Sequence, residues 1–338
     1  MKCTKCGGRA NIELRRHNAA FCTDDFVAFF QNQIREAIRK YRMFGRDERV
    51  LVAVSGGKDS LALWDALIAD GYTTTGLYLD LGIFDYSVES RAKCEAFAEA
   101  HAVPLIVSKV ADEVGAPVPV IKQVTRRPPC SGCGLSKRYL MNRVALEQGF
   151  PVVATGHNLD DEAATLFGSV MHWQTDALPR QSPALAATHP KLVRRVKPLY
   201  RLSERETAAY AFLRGIDYIV EECPFAAGAT SIAHKEILTR MEEASPGAKH
   251  NFLFGFLDKA RAAFERVEAV TLNECERCGQ VTTGTVCAFC KLSDQVKRNR
   301  PDGGSSHGSP ESPALVAPRE TLGAPRSTRA DSDQPGRV

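Results

Sequence analysis

Three groups of residues in this chain have the types and spacing that chemistry needs. The first is Ser55-Gly56-Gly57-Lys58-Asp59-Ser60, a turn between the apolar β-branched run Val50 to Val54 and a helical pattern at Leu61, Leu63, Trp64, Leu67 and Ile68. Strand, tight turn and helix in that order aim backbone N–H groups and a helix N-terminus at one point, which makes an anion site. Gly56 and Gly57 permit the positive φ and close backbone approach that a phosphate requires. Ser55 and Ser60 add hydroxyls, and Asp59 is placed to cap the helix or to hold the loop.

The second group is the cysteines. There are eleven, and they sort into Cys3, Cys6 and Cys22; Cys130, Cys133 and Cys223; and Cys275, Cys278, Cys287 and Cys290, with Cys94 left inside a helical pattern as a small buried hydrophobe. In a chain without a secretory leader such numbers point to metal or catalysis rather than disulfides. Cys275-x2-Cys278 and Cys287-x2-Cys290, eight residues apart, suit one closed tetrahedral zinc site. Cys3-x2-Cys6 followed by Cys22 supplies three ligands; Asp25 stands where a second knuckle ends and is the first choice for the fourth, with His17 the second. Cys130 and Cys133 open a helix bearing Lys137, Arg138 and Arg143, and a helix N-terminus favours thiolate. With Cys223, in Glu222-Cys223-Pro224, they could hold a [4Fe–4S] cluster with one iron open, form a redox disulfide, carry a persulfide, or bind a third zinc.

The third group is Gly156-His157-Asn158-Leu159-Asp160-Asp161-Glu162, where a glycine ends a strand and carboxylates open a helix. His157 is as readily structural as basic, Asp160 and Glu162 can be first-turn acids, and Asp161 is the candidate for metal or catalytic work.

These groups must be placed by repeated strand–helix units. Strands are predicted at 50–54, 75–79, 105–107, 152–155 and 218–221, and helices at 61–70, 88–100, 134–148, 161–173 and 204–214. That alternation predicts an α/β fold with a doubly wound parallel sheet and ligands at the carboxyl ends of its strands. A helix from Phe26 to Met43 precedes the sheet, its outer face carrying Arg35, Arg39, Lys40 and Arg42, either solvated or tracking phosphate. Long connections at 112–129 and 174–198 are candidates for function. The second leads into Lys191-Leu192-Val193-Arg194-Arg195-Val196-Lys197 and Tyr200-Arg201, which suits either RNA contact or an exposed basic strand. Residues 231–270 read as helices.

Six segments follow: an N-terminal zinc module at 1–25, a connecting helix at 26–48, a nucleotide domain at 49–225, a helical segment at 226–272, a C-terminal zinc ribbon at 273–298, and a tail at 299–338. The tail turns to Ser, Pro, Gly and charge and is expected to be disordered. The 338 residues suffice for one large domain with appendages, and the 44% hydrophobic content is that of a soluble protein. No apolar run approaches the roughly 20 residues of a membrane span. Cysteines and charges occupy the place of a signal peptide's apolar core, so the expected location is cytoplasmic. A net charge of +4 permits a nucleic-acid partner without demanding one.

The turn is not an ordinary P-loop, because Val52 and Asp59 stand where that motif needs Gly and Ser or Thr. It resembles the S-G-G-x-D-S loop of N-type ATP pyrophosphatases, which split ATP between the α and β phosphates and leave an adenylated substrate. Ser55–Ser60, Pro129-Cys130-Ser131-Gly132-Cys133-Gly134-Leu135-Ser136-Lys137-Arg138-Tyr139, Thr155-Gly156-His157-Asn158-Leu159-Asp160-Asp161-Glu162 and Glu222-Cys223-Pro224 occur in that order. Together they resemble the tRNA 2-thiolation family, and zinc modules at both ends favour its two-thiouridine branch; the family usually has His where this chain has Asp25.

The resemblance implies an ATP- and Mg²⁺-dependent tRNA sulfurtransferase. Ala53, Val54, Ser55, Gly56, Gly57, Lys58, Asp59 and Ser60 would bind the nucleotide with Leu79, Gly156 and Asp161. Cys130, Cys133 and Cys223 would hold a [4Fe–4S] cluster, and Lys137 and Asp161 would be the catalytic pair. It further implies Zn²⁺ at both termini, tRNA as substrate, a small ubiquitin-like thiocarboxylate protein as sulfur donor, no membrane association, and a homodimer. Uridine 54 is the expected position, with uridine 34 or cytidine 32 as alternatives. A nitrogen-delivering ATP pyrophosphatase leaves Cys130, Cys133 and Cys223 without work. A zinc-ribbon RNA-binding protein leaves the intact Ser55–Ser60 turn unexplained.

Overall fold

The computed structural model describes residues 1–125, 127–264, 271–300 and 314–316. In chain order the strands are β1 (Ile12–Leu14), β2 (Ala19–Phe21), β3 (Val50–Val54), β4 (Thr74–Asp80), β5 (Leu105–Lys109), β6 (Val152–Thr155), β7 (Ala184–Leu185), β8 (Arg194–Val196), β9 (Asn273–Glu274), β10 (Val281–Thr282) and β11 (Ala314–Val316). The helices are α1 (Thr23–Tyr41), α2 (Lys58–Ala69), α3 (Phe84–Ala100), α4 (Val110–Val114), α5 (Val118–Thr125), α6 (Pro129–Glu147), α7 (Leu159–Met171), α8 (Glu204–Leu213), α9 (Thr230–Ala244), α10 (Ala248–Gly255) and α11 (Ala288–Asn299).

The central sheet runs β11-β5-β4-β3-β6-β8-β7. Its inner strands β5, β4, β3, β6 and β8 are parallel, and β11 and β7 close the two edges antiparallel. β3 is apolar throughout because both faces are covered. Val50, Val52 and Val54 enter one core with α1 and α2, while Leu51 enters the other with α4, α5, α6 and α11. The chain winds outward from β3 in both directions, so the crevice at the carboxyl ends of β3 and β6 is the topological switch point.

One predicted strand is replaced by another segment. Residues 218–221 form no strand; the fifth parallel position belongs to β8, within the basic stretch read as either an RNA contact or an exposed basic strand. Several charges there have an internal use: Arg194 pairs with Glu48, Lys197 lies 2.6 Å from Glu162, and Arg201 donates to Gln33 at 2.9 Å. Tyr200 is wholly buried and cannot stack on a base. Likewise the basic face of α1 is engaged, Arg35 with Asp70, Arg39 with Glu36 and Lys40 with Asp258.

The expected long connection at 112–129 contains most of α4 and all of α5. α1 begins at Thr23, so the expected division at residue 25 falls inside a helix. Part of the tail, Ala314–Val316, pairs with Leu105–Val107 of β5, and Asn299 still belongs to α11. The remainder of the tail, and residues 265–270 of the expected helical segment, lie outside the described residues. Cys94 is buried in α3, as its pattern implied. Among the described residues no helix is long and apolar enough to cross a membrane.

Candidate nucleotide and cysteine site

Residues at the carboxyl ends of β3, β4 and β6 surround a cavity of about 360 Å³. Its wall takes Ala53 and Val54 from β3, Ser55, Asp59 and Ser60 from the following turn, Leu79 from β4, and Gly156 and Asp161 from the β6–α7 junction. Lys137 of α6 also lines it, so the two predicted catalytic side chains face one cavity. Sequence reasoning missed Tyr86, Ser87 and Ser90 of α3 as lining residues, because that helix carries no motif.

The turn is held from inside. The Ser55 N–H donates to Ser60 Oγ at 3.1 Å, and Ser60 Oγ donates to the Gly57 carbonyl at 3.0 Å. Gly56 has φ +76°, and a Cβ there would run into the Ser90 carbonyl of α3, so only glycine fits. Gly156 meets the turn from the other side, where a Cβ would lie 2.8 Å from Ser60 N. Gly56 and Gly57 shape the turn without lining the cavity, and Lys58 turns away to Glu204 at 2.8 Å and Asp59 at 3.1 Å.

Asp59 does not cap α2, whose N-cap is Gly57. It reaches across the switch point instead, accepting from Asn158 Nδ2 at 3.0 Å. Burial pushes the Asp59 carboxyl up, opposed by the Lys58 ammonium and the Asn158 bond. Asn158 and Asp161 form a reciprocal capping box: Asn158 Oδ1 accepts from Asp161 N at 3.1 Å, and the Asn158 N–H donates to Asp161 Oδ2 at 3.0 Å. His157 bonds Thr155 Oγ1 through Nδ1 at 2.8 Å and is otherwise exposed. Asp160 and Glu162 are consumed structurally, Asp160 by Lys249 and the Glu204 N–H, Glu162 by Lys197 and Gln181.

α6 carries Cys130 and Cys133 in its first two turns, with Lys137 one turn beyond. Cys133 and Cys223 are half-buried beside Phe225, while Cys130 is exposed, its Sγ 3.7 Å from the Phe225 carbonyl. Burial pushes the Cys133 thiol up, opposed by the Lys137 ammonium nearby. Cys223 follows the segment predicted as a strand, which has no regular structure and is tethered by the Ile219 N–H to the Gly56 carbonyl at 2.9 Å. The three sulfurs do not converge within 4.8 Å, unlike two other groups among the described residues. Three thiols, spread wider than the ligands of one ion and set against apolar side chains, fit a cluster that takes each sulfur on a different iron.

Those two other groups are Cys275, Cys278, Cys287 and Cys290, and Cys3, Cys6, Cys22 and Asp25. A tetrahedron with metal–sulfur bonds of about 2.3 Å has sulfur edges of about 3.8 Å. The observed separations are 3.9 Å for Cys275–Cys290, 3.7 Å for Cys278–Cys287 and 3.8 Å for Cys6–Cys22, so both donor sets fit zinc. Burial opposes ionisation of Cys275, yet the N–H groups of Cys287, Arg277 and Cys278 bring its thiol down to about 6. Asp25, in the first turn of α1, accepts from Cys3 at 3.0 Å and Cys22 at 3.2 Å. His17 is elsewhere, edge-on to Phe29 and 3.8 Å from Glu206.

Comparison with known proteins agrees with this geometry. A PP-loop domain profile matches residues 28–224, and the profile of the N-terminal LIM domain of 2-thiouridine synthetase TtuA matches residues 2–27. The tRNA-5-methyluridine(54) 2-sulfurtransferase of Thermus thermophilus is 51% identical over 88% of this chain and 92% of its own length. The enzyme of the same name from Thermotoga maritima is 42% identical over 89% of this chain and 98% of its own. The solved U34-tRNA thiolase NcsA from Methanococcus maripaludis with its [4Fe-4S] cluster superposes with a TM-score of 0.76 at 24% identity, covering 87% of this chain and 96% of that one. The chain thus belongs to the PP-loop tRNA 2-thiolation family.

Proposed function

We propose that this chain is an ATP-dependent tRNA 2-thiouridine synthase acting on 5-methyluridine 54. One observation carries the reading: α6 bears Cys130 and Cys133 at its start and Lys137, a wall of the nucleotide cavity, one turn later. Activation and sulfur delivery thereby share a rigid element. The uridine C2 oxygen attacks the α-phosphate of ATP and pyrophosphate leaves; sulfide then attacks C2, the C2–O bond breaks, and AMP departs. Adenylation is needed because an amide-like oxygen is a poor leaving group.

Within this scheme the Ser55–Ser60 turn cradles the phosphates, and Lys137 neutralises charge developing on the transferring phosphorus. Asp161 orders Mg²⁺ or takes a proton. Cys130, Cys133 and Cys223 would hold a [4Fe–4S] cluster, which would supply the binding site for sulfide. Zinc at the two terminal sites is structural, since all four positions of each are filled by protein. The sulfur donor is a small ubiquitin-like thiocarboxylate protein, the working form a homodimer, and the location the cytoplasm; these rest on the family resemblance. The six segments bounded at residues 25, 48, 225, 272 and 298 are kept as functional units, although α1 crosses the first boundary.

The test is anaerobic purification followed by nucleoside analysis of tRNA incubated with ATP and sulfide. We expect a brown protein, AMP release matched to product, and 2-thio-5-methyluridine at position 54. Product at uridine 34 or cytidine 32 would move the assignment within the family. Full activity in Cys223→Ala would rule out the three-cysteine cluster, and modification without AMP would rule out adenylation.

A further inference from the structure

Around the carboxyl end of the sheet, six residues close a ring, five of its links between side chains and one through the backbone N–H groups of the Asn158–Asp161 capping box. Asp59 Oδ2 accepts from Lys58 Nζ at 3.1 Å, and Lys58 Nζ donates to Glu204 Oε1 at 2.8 Å. The other Glu204 oxygen lies 3.4 Å from Lys235 Nζ, which stands 2.6 Å from Asp161 Oδ1. Asp161 and Asn158 share the capping box, and Asn158 Nδ2 returns to Asp59 at 3.0 Å. The ring joins the starts of α2, α7 and α8 to the middle of α9. Asp59 and Asp161 face the nucleotide cavity; Lys58, Glu204 and Lys235 do not.

Lys235 is the member that the family's common domain does not supply, because the PP-loop match ends at residue 224. It is also the member that holds the rest. Without it, the carboxylates of Asp161 and Glu204 would share no cation, and Asp161 would be fixed through Oδ2 alone. Burial disfavours the ammonium, but Asp161 and Glu204 more than offset this and raise its pKa, so the charge is present across the physiological range.

We propose that Lys235 is a positioning residue for adenylation: from α9 it fixes the carboxylate of Asp161 and, through Glu204 and Lys58, couples it to the phosphate turn. The inference rests on the reading of Asp161 as a catalytic group. It makes the helical arm beyond residue 224 part of the active site, although no atom of Lys235 lines the cavity.

The experiment follows AMP formation by the holoenzyme with tRNA, sulfide and varied ATP. A misplacement of about 1 Å can cost on the order of 10²-fold in rate, so Lys235→Met is expected to lower kcat by roughly 10–100-fold while KM for ATP moves less than about threefold. Lys235→Arg keeps the charge and should return kcat to within about fivefold of wild type, with the melting temperature of both variants unchanged. Glu204→Gln opens the same ring, so the double variant Lys235→Met/Glu204→Gln should be little slower than the slower single one. A kcat for Lys235→Met within about twofold of wild type, no recovery in Lys235→Arg, or fully multiplicative defects would each overturn the proposal. Asp161→Asn separates the two levels. If it keeps full kcat, the catalytic reading of Asp161 falls and takes the inference with it. If it is dead while Lys235→Met is unaffected, only the inference falls.

Discussion

The two terminal metal modules carry the same kind of knuckle and are built into the molecule in opposite ways. In the C-terminal module Cys275, Cys287 and Cys290 are buried within the core on the α6 face of the sheet. Phe289 stacks flat on Tyr139 of α6 at 3.6 Å, Asn142 of α6 bonds Gln280 at 2.8 Å, and Ser293 donates to the Val114 carbonyl at 3.2 Å. The N-terminal module buries only Cys3 of its four ligands, leaving Cys6 exposed and Cys22 and Asp25 half-exposed. Its polar attachment to the body includes Arg16, which pairs with Glu206 at 2.6 Å and donates to the Arg201 carbonyl at 2.9 Å. One module is therefore a wall behind the helix that carries Cys130, Cys133 and Lys137; the other is an outwork beside α8. The same zinc chemistry should matter to the fold in one place and be nearly separable in the other.

That difference is broken most directly at a ligand. Cys290→Ser removes one thiolate from a buried site whose metal and apolar packing support each other. The expected loss is several kcal/mol, which for a body of this size lowers the melting temperature by roughly 10 °C or more. Thiolation activity should go with it, because α6 loses its backing. A variant melting within about 3 °C of wild type would mean that the module is not part of the core. Next in size is Phe289→Ala, expected to cost about 3–4 kcal/mol for the lost burial and stacking while both zinc equivalents stay bound. Calorimetry with metal analysis reads both quantities, and loss of zinc in this variant would show that packing and metal cannot be separated there.

The mirror experiment is Asp25→Ala. With three thiols left, the N-terminal site should release its zinc, so metal content falls from two equivalents to one. The main unfolding transition should shift by less than about 3 °C, since Asp25 itself lies outside the core and Cys3, Leu14 and Phe21 keep their apolar packing. A drop as large as that of Cys290→Ser would erase the contrast between the modules.

How much of this was legible beforehand depends on whether a residue's partner is near in sequence. The Ser55–Ser60 turn, the helix after it and β3 were readable because glycines, β-branched residues and helical spacing are local signals. The seven thiols and one carboxylate of the terminal modules follow from knuckle spacing, with Asp25 placed before His17, and they are the residues that gather. What failed was anything fixed by distant contacts. Tyr218–Glu221 has strand composition, but the sheet position next to β6 was taken by Arg194–Val196, where Arg194 is paired with Glu48 from elsewhere in the chain. Tyr200 looked like a stacking platform until α1 and α10 covered it. Lys235 and Glu204 carry no motif at all; they matter only because four helix segments converge.

A smaller effect separates the two sides of the molecule by acid. His17 of the N-terminal module and His250 of α10 both sit among cations, and both have depressed pKa values: burial first, then Arg16, holds His17 down, and burial with Arg16 and Arg201 brings His250 to about 4. Each imidazole is thus neutral in the fold, with His250 stacked on Phe254 at 3.9 Å. The unfolded chain protonates near pH 6.5. Between that value and about 4 the unfolded state binds more protons, so the stability these residues contribute is complete above pH 6.5 and is lost as pH falls toward 4. His250 is about half-exposed, and after discounting for screening its share is roughly 1 kcal/mol. No histidine lies between Asn273 and Asn299, so the C-terminal module lacks this sensitivity. Replacing His250 by Phe keeps the ring stack and removes the titration. The fall in melting temperature from pH 7 to pH 4.5 should then be shallower in His250→Phe by about 2–4 °C. Amides of residues 1–25 should be better protected against exchange at pH 4.5 in the variant than in the wild type, with those of 273–299 unaltered. Parallel pH profiles for the two proteins would show that acid reaches both modules alike.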